Sequence, residues 1–537
     1  MLRTPFVLAS LLIPAQAAAV DYDVDPSNYR DRLGQLGPGD TLRLAAGNYP
    51  GLPVSGLEGA AGMPIVITGP DTGAPAVITG DPNRNTVSIR DAAYVTLRNF
   101  EIDNGGLFVD GVKAEGDASF AHHITVEGLY IHNFGPNQQL VGINTKCPTW
   151  DWVIRGNLIE GAGTGLYLGN SNGEEPFVRG VVEYNVVVNP IGYDMQIKHQ
   201  NPRPTLQGMP TGDSVTVIRH NVFMKYANAS MGGDARPNLL VGHWPLSGVG
   251  VNDRYEIYGN FFYENASGSE GLFQGEGNIA FYDNVLVNTF GHGASFQAQN
   301  DVPKTIDVFS NTVVVAGTGV GIFGADGNFT QTVMGNAVFG SQAFNGGGQR
   351  SANVTGSVGE AAGMLVAPNG ALGTLNVYPS GAGLQTSGID LSRFSAMTDF
   401  DRDFDGRARD SSQAGAYGTA GSAAGWMLAE AIKQLDPNVM PPRDGGVVPV
   451  DAGFDDAGTP IDAGFRDGGP PRDAGPVDPN RDGGFRDGGE APDAAPIVGT
   501  RGTSGGCACS AERRELGGLG LGVLALLPLL RRRRGTR

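Results

Sequence analysis

Cysteine is nearly absent, with three residues in 537. That excludes a disulfide scaffold. Charged residues are also scarce, 17% of the chain against a usual share of about 25%. The formal net charge is −18 and no basic stripe runs along the chain, which excludes a general nucleic-acid binder. Helical periodicity is almost missing before 423–435. Glycine, by contrast, is abundant at 84 residues, but it has no three-residue period, so a collagen-like chain is excluded. The length suffices for a large core or for several domains.

The charge is unevenly placed. Residues 437–498 carry −7 and residues 499–537 carry +6. The remaining acidity belongs to residues 20–436, so a polyanion handled there has to meet a local basic patch rather than a global field.

The two ends read as addresses. Residues 1–19 combine Arg3, an apolar run from Phe6 to Ile13 and small residues from Ala15 to Ala19, the order of a secretory signal peptide. Export is expected, into an oxidising environment. Residues 437–498 repeat RDGG, VDAG, DDAG and RDAG. They are too poor in apolar residues to offset their ordering entropy and read as a disordered acidic linker. Calcium-binding nonapeptide repeats have a different glycine period. In residues 499–537, Cys507 and Cys509 precede an apolar segment, 516–530, and Arg531 to Arg534. The segment is short for a membrane span of about 20 residues, yet arginines at its end fit the positive-inside rule. This order of Cys motif, apolar helix and Arg cluster resembles the MYXO-CTERM sorting signal of myxobacterial surface proteins. The resemblance implies a sorting protease as partner, Cys507 as the anchoring residue and a cell-surface, outer-membrane location. A plain tail anchor is the alternative.

Residues 40–345 repeat a short unit: a polar residue, Gly or Asn, then alternating apolar residues. It occurs at Asn99, Gly128, Asn157, Asn185, Asn221, Asn260, Asn284, Asn311 and Asn336, at spacings of 24 to 39 residues. Such a period signals a solenoid, and two-residue alternation makes its units strands. The predicted fold is all-β, a right-handed single-stranded parallel β-helix over 20–436, with a capping segment at its C-terminal end and the Asn residues stacked at one turn. Propeller blades of about 40–45 residues would be longer than most of these spacings.

A second strand follows each Asn strand. Aligning the apolar inward positions gives two outward columns. One reads Phe108, Asn144, Tyr167, Gln196, Val241, Gln274, Gln297. The other reads Asp110, Lys146, Gly169, Lys198, His243, Glu276, Gln299. A one-residue slip at 239–243 or 272–276 would turn those side chains to the other face. Amides, Tyr, Lys and His on a flat face suit an extended polysaccharide. A neutral Lys there could remove the proton α to a uronate carboxylate, with a cation stabilising the enolate.

The stretch Gly192-Tyr-Asp-Met-Gln-Ile-Lys198-His-Gln-Asn201 resembles the catalytic coil of chondroitinase-B and alginate-lyase type polysaccharide lyases, whose fold is the pectin-lyase-like β-helix. The resemblance implies that Lys198 is the base. The family's assisting Arg falls on or near His243, and Arg236 in GGDARPN is a candidate for the missing cation. Asn144, Lys146, Tyr167, Gln196, Gln274 and Glu276 are expected to bind substrate. The acidic pair by which the family holds calcium is not reproduced. Calcium is possible instead at Asp401-Arg-Asp-Phe-Asp405-Gly406, which resembles a calcium loop lacking its closing Glu. Two further readings stay open: a non-catalytic surface β-helix for glycans or adhesion, and a glycoside hydrolase using Asp110, Asp194 or Glu276. Cys147 is expected to be buried.

Overall fold

A computed structural model describes residues 18–116, 118–226, 229–418 and 425–435. The expected linker at 437–498, the 516–530 segment, Cys507 and most of the expected signal peptide lie outside these residues. Among the described residues, three parallel sheets of 15, 12 and 11 strands are stacked coil upon coil. One coil shows the route. The chain runs along Arg254–Tyr258 in the first sheet, Phe261–Asn265 in the second and Gly271–Gly275 in the third, then re-enters the first at Gly277–Tyr282. This is a parallel β-helix. Alternate residues point inward and fill one continuous core, among them Ile218, Phe262, Phe281 and Phe296.

The bend between the first and second sheets explains the repeated Asn. A residue with φ between 52° and 65° occupies the position before Asn185, Asn221, Asn260, Asn284, Asn311 and Asn336. The following Asn is fully buried. The Nδ2 of Asn221 donates to Oδ1 of Asn260 at 3.0 Å, which in turn donates to Asn284 at 3.0 Å. The same link runs from Asn157 to Asn353. Each Oδ1 also accepts the backbone N–H of the previous rung, so the bend leaves few polar groups orphaned. Asn99 does not belong to this ladder. It is itself the left-handed residue, with φ 57°, and Phe100 and Leu129 occupy the ladder column below Asn157.

The first sheet's last outward column alternates charge, then turns aromatic. Glu127 pairs with Arg155 at 2.8 Å and Glu183 with Arg219 at 2.7 Å. Arg219 then reaches the Tyr258 hydroxyl at 2.9 Å, and Tyr258, Tyr282 and Phe309 stack in sequence.

The C-terminal segment follows the last coil strand, Val354–Gly356. From Val358–Ala361 onward it folds back along the flank. Its Leu375, Val377, Phe404 and Tyr417 cover the outer face of the second sheet, where Val222, Phe261, Val285 and Ala337 are apolar. That apolar face requires cover, and this sets the segment's course. Residues 425–435 adopt no helix despite their helical period.

Coils approach closely where the second sheet turns into the third. A Cβ on Gly165 would overlap the Asp194 carbonyl and the Val187 side chain. Gly165→Ala is expected to lower stability by about 1–3 kcal/mol, as overpacking does, read as a shift in the urea midpoint at unchanged slope.

Candidate functional site

Among the described residues, the C-terminal segment covers the second sheet and part of the first, and no such cover lies on the third sheet's outer face. Strand pairing aligns Lys113, Asn144, Tyr167, Gln196, Leu240 and Gln274 in one outward column. Eleven strands about 4.8 Å apart make this face roughly 48 Å long. Loops 199–213 and 243–253 border one side, and loops 134–140 and 229–237 the other. At mid-length the face is recessed. Asn144 and Gln196 are buried although they point outward, and their Oδ1 and Oε1 atoms have no hydrogen-bond partner. Unsatisfied buried acceptors of this kind call for a missing donor.

Tyr167 lies between those two amides. Lys146 and Lys198 flank it on successive coils, with Gly169 between them in their own column. The Lys146 Nζ stands 3.3 Å from the Tyr167 ring centroid and the Lys198 Nζ 5.4 Å from it. Gly169 has φ 80°, and a Cβ there would crowd the Glu175 carbonyl. Burial, reinforced by the Lys198 charge, pulls the Lys146 ammonium down to about 8. Its nearest acceptors, Gly169 O and Asn170 Oδ1, are both 3.5 Å away. Asp110 anchors the near end of this cluster. Its carboxylate accepts the Val141 N–H at 2.9 Å and Asn144 Nδ2 at 2.8 Å, and it lies 3.8 Å from Lys113.

Several expected residues fall elsewhere. Val241 points inward and Leu240 takes its outward place. Gly242 therefore continues the Lys198 column, and His243 is one residue past it. Its ring is buried, 5.2 Å from that of His199, and its Nδ1 meets the Trp244 carbonyl at 2.6 Å. Trp244 is a core residue stacked on Tyr255 at 4.2 Å. It cannot serve as a sugar platform. His199 thus joins the cluster. Burial, then His243 and Lys198, lower its pKa.

Arg236 is separated from Lys198 by the width of the strand. It stands over Tyr193 at 6.0 Å and caps its own loop through Gly233 O and Ala235 O. Tyr193 enters Met195–Ile197 and Lys198 leaves it, roughly 15 Å away at about 3.3 Å per residue. Glu276 is in its expected column, but its carboxylate accepts the N–H groups of Gln299, Asn300, Asp301 and His243. It holds a turn and is not free for substrate. Gln274 does face outward, half-buried. Phe108 leaves the column for the turn before Val112–Glu115, 73% exposed at the rim. Gln297 takes the place expected for Gln299, and Ser295 that expected for Gln297.

The three acids weighed for hydrolysis do not converge, since Asp194 is fully buried beneath the sheet corner and Glu276 is spent on amides. At 401–406 the acids are likewise engaged: Asp403 accepts the N–H groups of Asp405, Arg407 and Gly418, and Asp405 accepts the Tyr378 hydroxyl. These bonds make a folded turn, and that donor set does not fit a calcium loop. Cys147 is buried, as expected.

No protein-family model matches the chain, and no curated protein does. Among solved structures it is similar to an alginate lyase from Paenibacillus, at 15% identity over 63% of this chain and 98% of that one, TM-score 0.31. It is similar to a pectate lyase at 13% identity over 78% and 98%, TM-score 0.38. A lacto-N-biosidase from Eubacterium ramulus gives 12% identity over 63% and 68%, TM-score 0.38. The parallel β-helix described here rests on the chain's own strand pairing.

Proposed function

We propose that this chain is an exported, surface-anchored β-helix that binds an extended uronate-bearing polysaccharide along its third sheet and cleaves it by β-elimination. The observation that carries this reading is the recessed Lys146–Tyr167–Lys198 cluster, flanked by the unpartnered amide oxygens of Asn144 and Gln196. Those oxygens suit sugar hydroxyl donors, and the tyrosine ring positions the two lysine amines beside them. Two lysines divide the work that elimination needs. One amine must be neutral to take the proton α to the carboxylate, and one ammonium must stay charged to hold the carboxylate as the enolate forms.

Lys146 suits the first task, because burial and Lys198 favour its neutral form. Lys198, on the other side of Tyr167, suits the second. This reverses the roles that the strand-end resemblance implies. The proton moves from the sugar to the Lys146 amine, the bond to the leaving sugar oxygen breaks, and a carbon–carbon double bond forms in the remaining uronate. His199 and His243 stand beside Lys198 as candidates to return a proton to the leaving oxygen.

A panel of alginate, pectate and chondroitin, read by the ultraviolet absorbance of unsaturated uronate, tests the activity. Binding of such a polymer without cleavage would instead support the non-catalytic reading. The dispersal of Arg236 away from the lysines is the observation that favours that reading.

A further inference from the structure

A second cluster lies on a different sheet. In Ala121–Glu127, successive side chains should point to opposite faces. His123 breaks the alternation with φ 52°. The imidazoles of His122 and His123 consequently turn to the same side. Their Nδ1 atoms are 2.8 Å apart and their planes 79° apart. The same left-handed step recurs in register at Tyr94, Asp151 and Arg179.

Neighbours fix both rings. His122 lies on the buried Trp150 at 4.4 Å, and His123 on Tyr94 at 4.2 Å. The far nitrogen of His123, Nε2, is 3.2 Å from Asp151 Oδ2. Arg179 holds that carboxylate, with Nη2 to Oδ2 at 2.6 Å. His123 thus donates from Nε2 and keeps a lone pair on Nδ1, facing His122.

We propose that His122 and His123 form a two-histidine site for Cu(II), ligated through both Nδ1 atoms in cis. Imidazole nitrogens about 2.0–2.1 Å from a metal at right angles lie about 2.8–3.0 Å apart, whereas tetrahedral angles spread them to about 3.3–3.4 Å. The hydrogen bond between the two Nδ1 atoms already holds them at the tetragonal spacing, which Cu(II) prefers, and Cu(II) binds nitrogen ligands most tightly among the first-row divalent ions. A carboxylate on the far nitrogen is the usual support of a metal-bound histidine. His122 moves its proton from Nδ1 to Nε2 on binding, with no net release. Among the described residues no third His, Cys, Asp or Glu completes the set, which leaves the other positions to water or an incoming ligand.

The test uses the full chain, stripped of metal and carrying Cys507→Ser and Cys509→Ser, titrated with copper sulfate and read by electron paramagnetic resonance. One equivalent with hyperfine coupling to two nitrogens is expected. His122→Phe keeps the stack on Trp150, and His123→Asn tolerates the left-handed backbone. Each should weaken binding at least tenfold with an unchanged circular dichroism spectrum. Asp151→Asn should weaken it about 10–100-fold, and His199→Ala should leave it unchanged. No stoichiometric copper, or equal binding in the parent and His122→Phe, overturns the site. So does a loss in His199→Ala as large as in His122→Phe.

Discussion

Lys146→Ala is expected to lower kcat by about 10²–10⁴-fold on the polymer that the wild type cleaves, the range for losing a positioned general base. The KM should stay near its original value. Lys198→Ala should act the other way, raising KM more than it lowers kcat, because it removes a charge that holds the carboxylate before and during reaction. The pH profile supplies the sign. A lysine with pKa about 8 is protonated and inactive as a base below that pH. Activity limited by it therefore rises as pH increases through about 8 and levels above. Lys198→Ala removes the neighbouring charge that depresses Lys146, so the rising limb should move to higher pH. A kcat collapse confined to Lys198→Ala, with only KM altered in Lys146→Ala, would return the base to Lys198. Circular dichroism guards both results.

Asn260→Ala is expected to cost about 3–5 kcal/mol, a large share of the total stability of a domain. The side chain sits mid-ladder. Its Oδ1 accepts both Asn221 N at 2.9 Å and Asn221 Nδ2 at 3.0 Å. Its Nδ2 donates to Ile218 O, Tyr258 O and Asn284 Oδ1. Truncation strands donors on the previous coil and acceptors on the previous, its own and the next coil, all in the dry interior, and each costs about 1–3 kcal/mol. The first rung differs. Asn157 receives only the Leu129 N–H from below, so Asn157→Ala should cost less. Urea melts of the two variants check the order, and equal losses would mean that the ladder does not act as a chain of rungs.

The sequence shows the coils because burial enforces the pattern. Most strands carry inward apolar side chains at period two, and the bend demands an amide. Tyr167, Lys146 and Lys198 are legible for the same reason, since clean alternation through 142–146, 165–169 and 193–198 sets their face. His243 is not, because the strand there is three residues long, Leu239–Val241, and gives too few alternations to fix the register. Glu276 shows a different limit. Its column is right, but the loop that consumes its oxygens is not written in the strand pattern. The neighbouring His122 and His123 are plain in the sequence, whereas their convergence needs a left-handed residue that alternation forbids.

The folded-back C-terminal segment has a mechanical consequence. Lys433 is buried against the bend of an earlier coil, with Nζ 2.7 Å from Gly259 O, and Arg409 pairs with Asp283. A pull on residue 435 therefore enters the solenoid sideways at Gly259 and not through its last rung at Asn353. Contacts shunt the force past the coils from Gly277 to Gly356, which stay slack until the Lys433 lock gives way. Under tension between residues 18 and 435 the flank strap should peel first and release its length in one step. Only then would the later coils feel the load and unwind from the Asn353 end.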